Sequence, residues 1–176
     1  MVIVYSGRRI TLDVSKVMLP NGHEMNVEKI LFPRAIAALP IYENNKVILL
    51  RQFRPAVNEY VLEIPAGVVE KNETPEHALI RELNEEIGAE TDHFEKLFEG
   101  FTTPGYSTEY ILIYHVNVKK LGEPRPEPHE VIDRVVVDFR DATNMVLNGS
   151  IRDAKTALAI ALYMLRRGDG RDSAWS

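Results

Sequence analysis

The sequence contains no cysteine, which excludes disulfide bonds, thiolate zinc sites and cysteine nucleophiles and is compatible with a reducing compartment. It also lacks an excess of positive charge, since 21 Lys and Arg residues stand against 26 Asp and Glu, a net charge of −5. We therefore expect no nucleic acid among its partners. No apolar run approaches the length of a membrane span, and no basic region precedes the short apolar run at the N-terminus. These absences predict a cytoplasmic protein without a membrane partner.

The composition is typical of one globular domain. Hydrophobic residues make up 45% and charged residues 27% of the 176 residues, so a buried core can form without disulfides or metal ions. The length predicts a single domain with an extension at one end. Residues 168–176, which hold the only tryptophan, predict a flexible tail.

Runs of β-branched residues, separated by Gly and Pro residues typical of turns, predict two groups of strands. Residues 1–33 predict a small antiparallel sheet of three strands, with a hairpin turn at Pro20-Asn21-Gly22. After Pro33 a second sheet is expected. The proline-rich stretch 123–129 predicts a loop. The strands expected in the second sheet are Ala35–Ile41, Lys46–Leu50, Tyr110–Lys119 and Arg134–Phe139.

Three helices are predicted. The clearest begins after Thr74 as N-cap, with Pro75 at its first position, and ends at Gly88. A short helix is expected at about Asp141–Leu147. A longer helix is expected from about Ile151 to Arg167, opened by Ser150.

The first helix carries an acidic cluster that helix packing does not explain. Glu82, Glu85 and Glu86 are spaced i, i+3 and i+4, so like charges lie close together near the helix end whose dipole disfavours anions. A solvated acidic face is one interpretation. The other is a metal site, because three oxygen ligands on one rigid element suit Mg²⁺ or Mn²⁺.

The residues around this cluster resemble the Nudix box. From Gly67 the chain reads GVVEKNETPEHALIRELNEEIGA, which matches Gly, five residues, Glu, seven residues, then Arg-Glu-aliphatic-any-Glu-Glu-any-Gly-aliphatic. Every fixed position agrees, and only Ala89 is smaller than usual. The resemblance implies an α+β fold, an α/β/α sandwich with a mixed sheet between helices. It assigns residues 34–167 to the catalytic domain and leaves 1–33 as an N-terminal antiparallel sheet.

The resemblance also implies a role for each residue of the box. Glu82 and Glu86 would be the principal metal ligands, with Glu85 a second or water-mediated one and the carbonyl of Ala66 a backbone ligand. Arg81 would orient the glutamates, supported by Glu73, and Gly67 would let the backbone turn towards the metal. The implied cofactor is Mg²⁺, with Mn²⁺ as a substitute, because divalent ions neutralise phosphates and lower the pKa of bound water.

The flanks of the box resemble the ADP-ribose pyrophosphatase group. Arg51-Gln-Phe-Arg-Pro-Ala-Val and Leu62-Glu-Ile-Pro-Ala-Gly resemble the segment that leads into the box in that group, and Pro104 lies near its marker proline. Arg54 would meet the diphosphate or terminal ribose, because a guanidinium fork suits such oxygens. Glu63 would hold a ribose hydroxyl or pair with an arginine. Arg34 and Lys29 are further candidate contacts.

The implied activity is Mg²⁺-dependent hydrolysis of ADP-ribose to AMP and ribose 5-phosphate. The same site could instead hydrolyse a different substrate: another nucleotide sugar, NADH or a dinucleoside polyphosphate. A ligand sensor without turnover is the alternative from another class, and the intact glutamates argue against it. RNA decapping is disfavoured by the acidic charge.

Two further expectations follow from the resemblance. The base that activates water would be a glutamate on the loop Leu121–Ile132. The pattern before the next strand selects Glu130, with Glu127 as the fallback, so that Glu130, Glu85 and Arg81 are the expected catalytic residues. The N-terminal sheet would swap between two protomers of a homodimer. The candidates for stacking on adenine are Tyr5, Phe32 and Phe53.

Overall fold

The structure is a computed structural model that describes residues 2–43, 45–128 and 130–168, so all but the first residue of the predicted tail lies outside the described residues. Ten strands and three helices are found in these ranges. They are β1 (Ile3–Ser6), β2 (Thr11–Met18), β3 (Glu24–Leu31), β4 (Ala35–Tyr42), β5 (Lys46–Arg54), β6 (Glu59–Glu63), β7 (Ala66–Val68), α1 (Pro75–Ile87), β8 (Ala89–Phe101), β9 (Tyr110–Leu121), β10 (Ile132–Asp138), α2 (Phe139–Leu147) and α3 (Ala154–Gly168).

The strands form two sheets. β1, β2 and β3 make the expected antiparallel sheet, in that spatial order. The other seven strands make a mixed sheet with the order β10-β5-β4-β9-β8, in which β6 pairs with β5 and β7 with β4. β4 and β9 are parallel, and their neighbours are antiparallel.

Helices cover both faces of the mixed sheet. Because side chains alternate along a strand, Ile48 and Leu50 of β5 pack with Leu79 and Leu83 of α1, whereas Leu49 points the other way. The second face packs against α2 and α3. The predicted α/β/α sandwich with an N-terminal antiparallel sheet is thus confirmed. In the described part of the chain, no helix is both long and apolar enough to span a membrane.

Local signals placed α1 correctly. The Thr74 side chain accepts a hydrogen bond from the His77 N–H at 3.2 Å, and Gly88 ends the helix in the left-handed conformation with φ 65°.

The predicted start of α3 is wrong. The helix begins at Ala154, and Asp153 caps it by accepting a hydrogen bond from the Thr156 N–H at 2.9 Å. The backbone N–H of Ser150 instead donates to Asn148 Oδ1 at 3.0 Å, so Ser150 belongs to the preceding turn. The boundary between β10 and α2 also lies at Phe139, two residues before the predicted helix start.

The N-terminal sheet touches the rest of the chain through a narrow connection. The Ile30 N–H donates to the Tyr106 carbonyl at 2.8 Å, and the Thr108 N–H donates to the Ile30 carbonyl at 3.0 Å. The Phe32 N–H donates to Thr108 Oγ1 at 2.9 Å. Of the side chains in β1, β2 and β3, only that of Asp13 is fully buried. The sheet therefore presents most of its surface outward.

Candidate active site

Glu82 lies directly against the backbone of Gly67. A methyl group at Gly67 would lie 1.8 Å from Glu82 Oε1, so only glycine allows this approach. The Glu82 side chain is mostly buried, and burial raises the pKa of its carboxyl. Tertiary packing therefore directs this carboxylate towards β7 instead of solvent.

Glu86 is the most buried of the three helix glutamates. Its Oε2 accepts a hydrogen bond from the Ala66 N–H at 3.0 Å. Burial, and then the nearby charge of Glu82, raise its pKa to about 8. The structure thus places Ala66 beside Glu86 through the backbone N–H, and the role of the Ala66 carbonyl as a metal ligand stays a prediction.

Arg81 connects the box loop to the helix glutamates. Its Nε and Nη2 donate to the two oxygens of Glu73 at 3.0 and 3.1 Å, and Nη2 also donates to the Val68 carbonyl at 3.1 Å. Its Nη1 donates to Glu82 at 2.6 Å and to Glu85 at 3.2 Å. The hydrogen bonds that Arg81 donates to Glu73, above all, raise the pKa of Arg81. Arg81 therefore has the geometry expected of a residue that orients the glutamates.

The donor set of this cluster fits a hard divalent cation. All the candidate ligands are oxygens, and the raised pKa values of Glu82 and Glu86 are those of buried carboxylates that repel one another. Among the described residues, no three acidic or imidazole side chains are already arranged around a common point where an ion would bind. Arg81 donates to one oxygen each of Glu82 and Glu85, and these carboxylates have further lone pairs with which they can bind an ion.

Arg54 of β5 and Glu63 of β6 form the second part of the site, and Arg54 lies on the face of β5 that also carries Leu50. Arg54 donates through Nε and Nη2 to the two oxygens of Glu63, both at 2.7 Å. Burial alone would raise the pKa of Glu63, but the hydrogen bonds and charges of Arg54 and Lys155 outweigh it and lower the pKa. Of the two roles expected for Glu63, the structure shows the pair with an arginine.

Glu130 lies within electrostatic range of the helix glutamates, because its charge contributes to the raised pKa values of Glu82 and Glu86. Its Oε2 accepts a hydrogen bond from the Glu127 N–H at 3.0 Å, and its own N–H donates to the Glu127 carbonyl at 2.9 Å. The two candidate bases thus share one turn, with Glu130 the less exposed of the two.

The other candidate substrate contacts, Arg34, Pro104 and Lys29, form no ion pair or hydrogen bond with the glutamates of α1 among the described residues. The Arg34 guanidinium is above the ring of Tyr110, 5.8 Å from its centroid, and Pro104 is exposed in the loop between β8 and β9. Lys29 is engaged in the N-terminal sheet, where its Nζ lies 3.0 Å from Asp13 Oδ2.

The three stacking candidates do not form one group. Tyr5 is exposed on β1, and Phe32 lies where the two sheets connect. Phe53 makes an edge-to-face contact with Tyr60, with ring centroids 5.3 Å apart. Their role in binding adenine stays a prediction.

Sequence reasoning missed three residues around the site, two of which come from distant parts of the chain. Arg134 of β10 donates through Nη1 to the carbonyls of Ile87 and Gly122, at 2.7 and 2.9 Å, and so covers the end of α1. Lys155 of α3 contacts Glu63. Gln52, a buried amide, lies two positions before Arg54 on the same face of β5. The only available signal was strand alternation, which places Gln52 beside Arg54 once β5 is known to continue that far.

Comparison with known proteins agrees with this geometry. A family model described as the NUDIX domain matches residues 31–158, most of the chain. The chain is 34% identical over 165 residues to an ADP-ribose pyrophosphatase of Bacillus subtilis (strain 168), covering 93% of this chain and 89% of that protein. It is 33% identical over 165 residues to a methanol dehydrogenase activator of Bacillus methanolicus, again covering 93% and 89%. It is 35% identical over 128 residues to a GDP-mannose pyrophosphatase of Yersinia pestis (strain Pestoides F), covering 67% of this chain and 64% of that protein. The chain therefore belongs to the Nudix family, as its box predicted, and is a pyrophosphohydrolase.

Proposed function

We propose that this chain hydrolyses the diphosphate bond of ADP-ribose to give AMP and ribose 5-phosphate. The observation that carries the proposal is the pair of buried carboxylates of α1: Glu82 lies against Gly67 and accepts a hydrogen bond from Arg81, and Glu86 accepts one from the Ala66 N–H. The similarity to an ADP-ribose pyrophosphatase over 93% of the chain supports the choice of substrate.

Nudix hydrolases generally require a divalent metal ion, and we propose Mg²⁺, with Mn²⁺ as a substitute. Glu82, Glu86 and the Ala66 carbonyl would hold it, with Glu85 as a further or water-mediated ligand. The bound ion supplies charge neutralisation of the diphosphate and acidification of water. Glu130 takes the proton from the attacking water, with Glu127 as the fallback, because a loop carboxylate can approach only when substrate is in place.

On the substrate side, we propose that Arg54 binds the diphosphate. A guanidinium carries donors beyond the two that Glu63 engages, and these can reach phosphate oxygens. Arg34 and Pro104 would line the outer part of the site, and a contact between Glu63 and a ribose hydroxyl is the further possibility.

The second candidate substrate is another nucleoside diphosphate sugar, which the 35% identity to a GDP-mannose pyrophosphatase favours. The deciding experiment compares kcat/KM for ADP-ribose, GDP-mannose, ADP-glucose, NADH and diadenosine polyphosphates, with Mg²⁺ and with Mn²⁺. The proposal expects the highest value for ADP-ribose and release of AMP. A higher value for GDP-mannose would contradict it, and absence of turnover with every compound would favour a sensor.

We also propose that the chain is a homodimer through its N-terminal sheet. Support comes from the apolar side chains that the sheet leaves exposed: Val2, Ile3, Val4, Tyr5, Val17, Met18 and Met25. A cytoplasmic location stays a prediction.

A further inference from the structure

The segment Glu63–Gly67, which connects β6 to β7, carries parts of both halves of the candidate site. At its start, Glu63 holds the Arg54 guanidinium. At its end, Ala66 and Gly67 contact the carboxylates of α1. Anything that fixes this short segment therefore fixes the substrate arginine and the glutamate cluster relative to each other.

The first turn of α3 binds this segment. The Ile64 N–H donates to Thr156 Oγ1 at 2.8 Å, although the two residues are 92 positions apart. The Thr156 hydroxyl in turn donates to Asp153 Oδ2 at 2.5 Å, and Thr156 is fully buried. The backbone of the segment is thus tied to the N-terminal end of α3.

Lys155, in the same turn, binds the segment through its side chain. Its Nζ contacts Glu63 Oε2, the oxygen that also accepts from Arg54 Nη2, and lies 3.0 Å from Asp153 Oδ1. The side chain of Glu63 is only 4% exposed and that of Lys155 only 18%. Arg54, Glu63, Lys155 and Asp153 therefore form a row of alternating charges that is largely shielded from solvent.

The Arg54 end of this row lines an open cleft. A cleft of about 500 Å³ is lined by Arg54 and Glu63 from the sheet and by Asp153 and Ala154 from α3, among other residues. The Arg54 side chain is the most exposed of the four charged groups, at 34%. A ligand entering the cleft would thus meet a guanidinium that is bound by Glu63, and Lys155 binds the same carboxylate.

We propose that Lys155 is a positioning residue for substrate binding, which acts by fixing Glu63 and, through it, the direction of the Arg54 guanidinium. This inference rests on the proposed function, in which Arg54 binds the diphosphate. The physical reason is that Lys155 shares the Glu63 carboxylate. Without Lys155, the nearly buried Glu63 carboxylate loses its contact with the first turn of α3 and can move together with Arg54, so the Arg54 donors that Glu63 does not engage are no longer held towards the cleft.

The test is a double-mutant cycle on the full-length chain. Lys155→Met removes the charge and keeps the length of the side chain, Lys155→Arg keeps the charge, and Arg54→Met removes the group through which Lys155 acts. Lys119→Met is the matched control, because Lys119 of β9 pairs with Asp92 of β8 through exposed side chains away from this network. For each variant, kcat and KM for ADP-ribose and the melting temperature are measured.

We expect Lys155→Met to raise KM by about 10-fold or more while kcat changes by less than about threefold. Lys155→Arg should restore most of the affinity, and Lys119→Met should behave as wild type. In the Arg54→Met background, Lys155→Met should have almost no further effect on kcat/KM, because the two residues act as one unit.

An unchanged KM in Lys155→Met, or a KM effect of the same size in the Arg54→Met background, would overturn the proposal. A lower melting temperature alone would reveal only a structural role and would also overturn it. The wild-type chain tests the proposed function separately. If it hydrolyses a different compound of the substrate panel best, the substrate assignment fails, and the cycle is run with that compound.

Discussion

The contact between Gly67 and Glu82 predicts the effect of adding a single methyl group at position 67. Gly67→Ala would force the Glu82 carboxylate away from β7, since the added carbon would lie 1.8 Å from Oε1. A displacement of about 1 Å at a reacting centre can lower activity by roughly 10²-fold. We expect a loss of this order in kcat/KM with a folded protein, measured by steady-state kinetics and circular dichroism.

Gly105→Ala is the control for this variant, because none of the described residues apart from its two chain neighbours has a heavy atom within 4 Å of the position that its methyl group would occupy. Gly105→Ala should retain wild-type activity. If Gly67→Ala retained it too, Glu82 would not need its present position for catalysis.

The raised pKa of Glu86 predicts how the metal-free protein responds to pH. The folded-state pKa of about 8 lies above the ordinary value of 4.5, so folding disfavours the ionised carboxylate. The free energy of unfolding should therefore fall as pH rises from about 4.5 through 8. Glu86→Gln should abolish this loss while it also removes activity. Thermal unfolding in EDTA at pH 6 and pH 9 measures the effect.

Glu90→Gln, which changes an exposed carboxylate on β8 outside the glutamate cluster, should keep the wild-type pH dependence of unfolding. Equal melting temperatures of wild type and Glu86→Gln at pH 9 would contradict the assignment.

A pair of variants distinguishes the roles of the two loop glutamates, Glu127 and Glu130. Glu130→Gln should lower kcat by about 10²- to 10⁴-fold, the usual contribution of a general base, with little change in KM or metal affinity. Glu127→Gln should change kcat far less. The reverse result would assign the base to Glu127, and no effect in either variant would return that role to the glutamates of α1.

At the scale of elements, the helices and motifs that could be predicted are those marked by residues close together in the sequence. α1 carries its own N-cap, its proline and its terminal glycine, and the box residues lie within 23 positions of one another, so both could be recognised from sequence alone. β8 was missed because it is a long strand at the edge of the sheet with mostly exposed, charged residues and no continuous apolar run. The strands β6 and β7 are too short to show a period.

The unpredicted part of the site depends on contacts between distant residues. Arg134 reaches Ile87 across 47 positions, and Lys155 reaches Glu63 across 92. A spacing rule can place glutamates on one face of a helix, but it does not indicate which strand or helix packs beside them. The predicted cap at Ser150 failed for a different, local reason: Asp153, three positions before Thr156, caps the helix directly.

Arg134 provides a prediction for α1 as a whole. Its guanidinium covers the carbonyl end of a helix that has no basic residue in its last turn. Arg134→Met should lower the free energy of unfolding by about 1–2 kcal/mol, through loss of a charge at the negative end of the dipole and of two hydrogen bonds. Urea denaturation measures this value. Arg140→Met, on an exposed position of α2, should change it by less than about 0.5 kcal/mol. If the two variants lowered the free energy of unfolding equally, Arg134 would not stabilise the end of α1 in this way.

At the scale of the whole molecule, the N-terminal sheet has apolar side chains that the described residues of one protomer leave exposed. A three-stranded sheet of this size gains little stability alone, so burial against a second copy is the expected solution. Deleting residues up to Met25 should give monomers with weak affinity for ADP-ribose, whereas the full chain should be a dimer. Light scattering measures the mass, and titration calorimetry measures the affinity.

A point variant tests the same interface without removing strands. Met18→Lys places a charge on a side chain that is 62% exposed in one protomer and should dissociate the dimer, because an unpaired charge would be buried at the contact. Leu147→Lys is the control, since Leu147 is 71% exposed on α2, outside this sheet, and should leave the dimer intact. A monomeric full-length chain at micromolar concentration would contradict the dimer, and dissociation by Leu147→Lys instead would move the interface to α2.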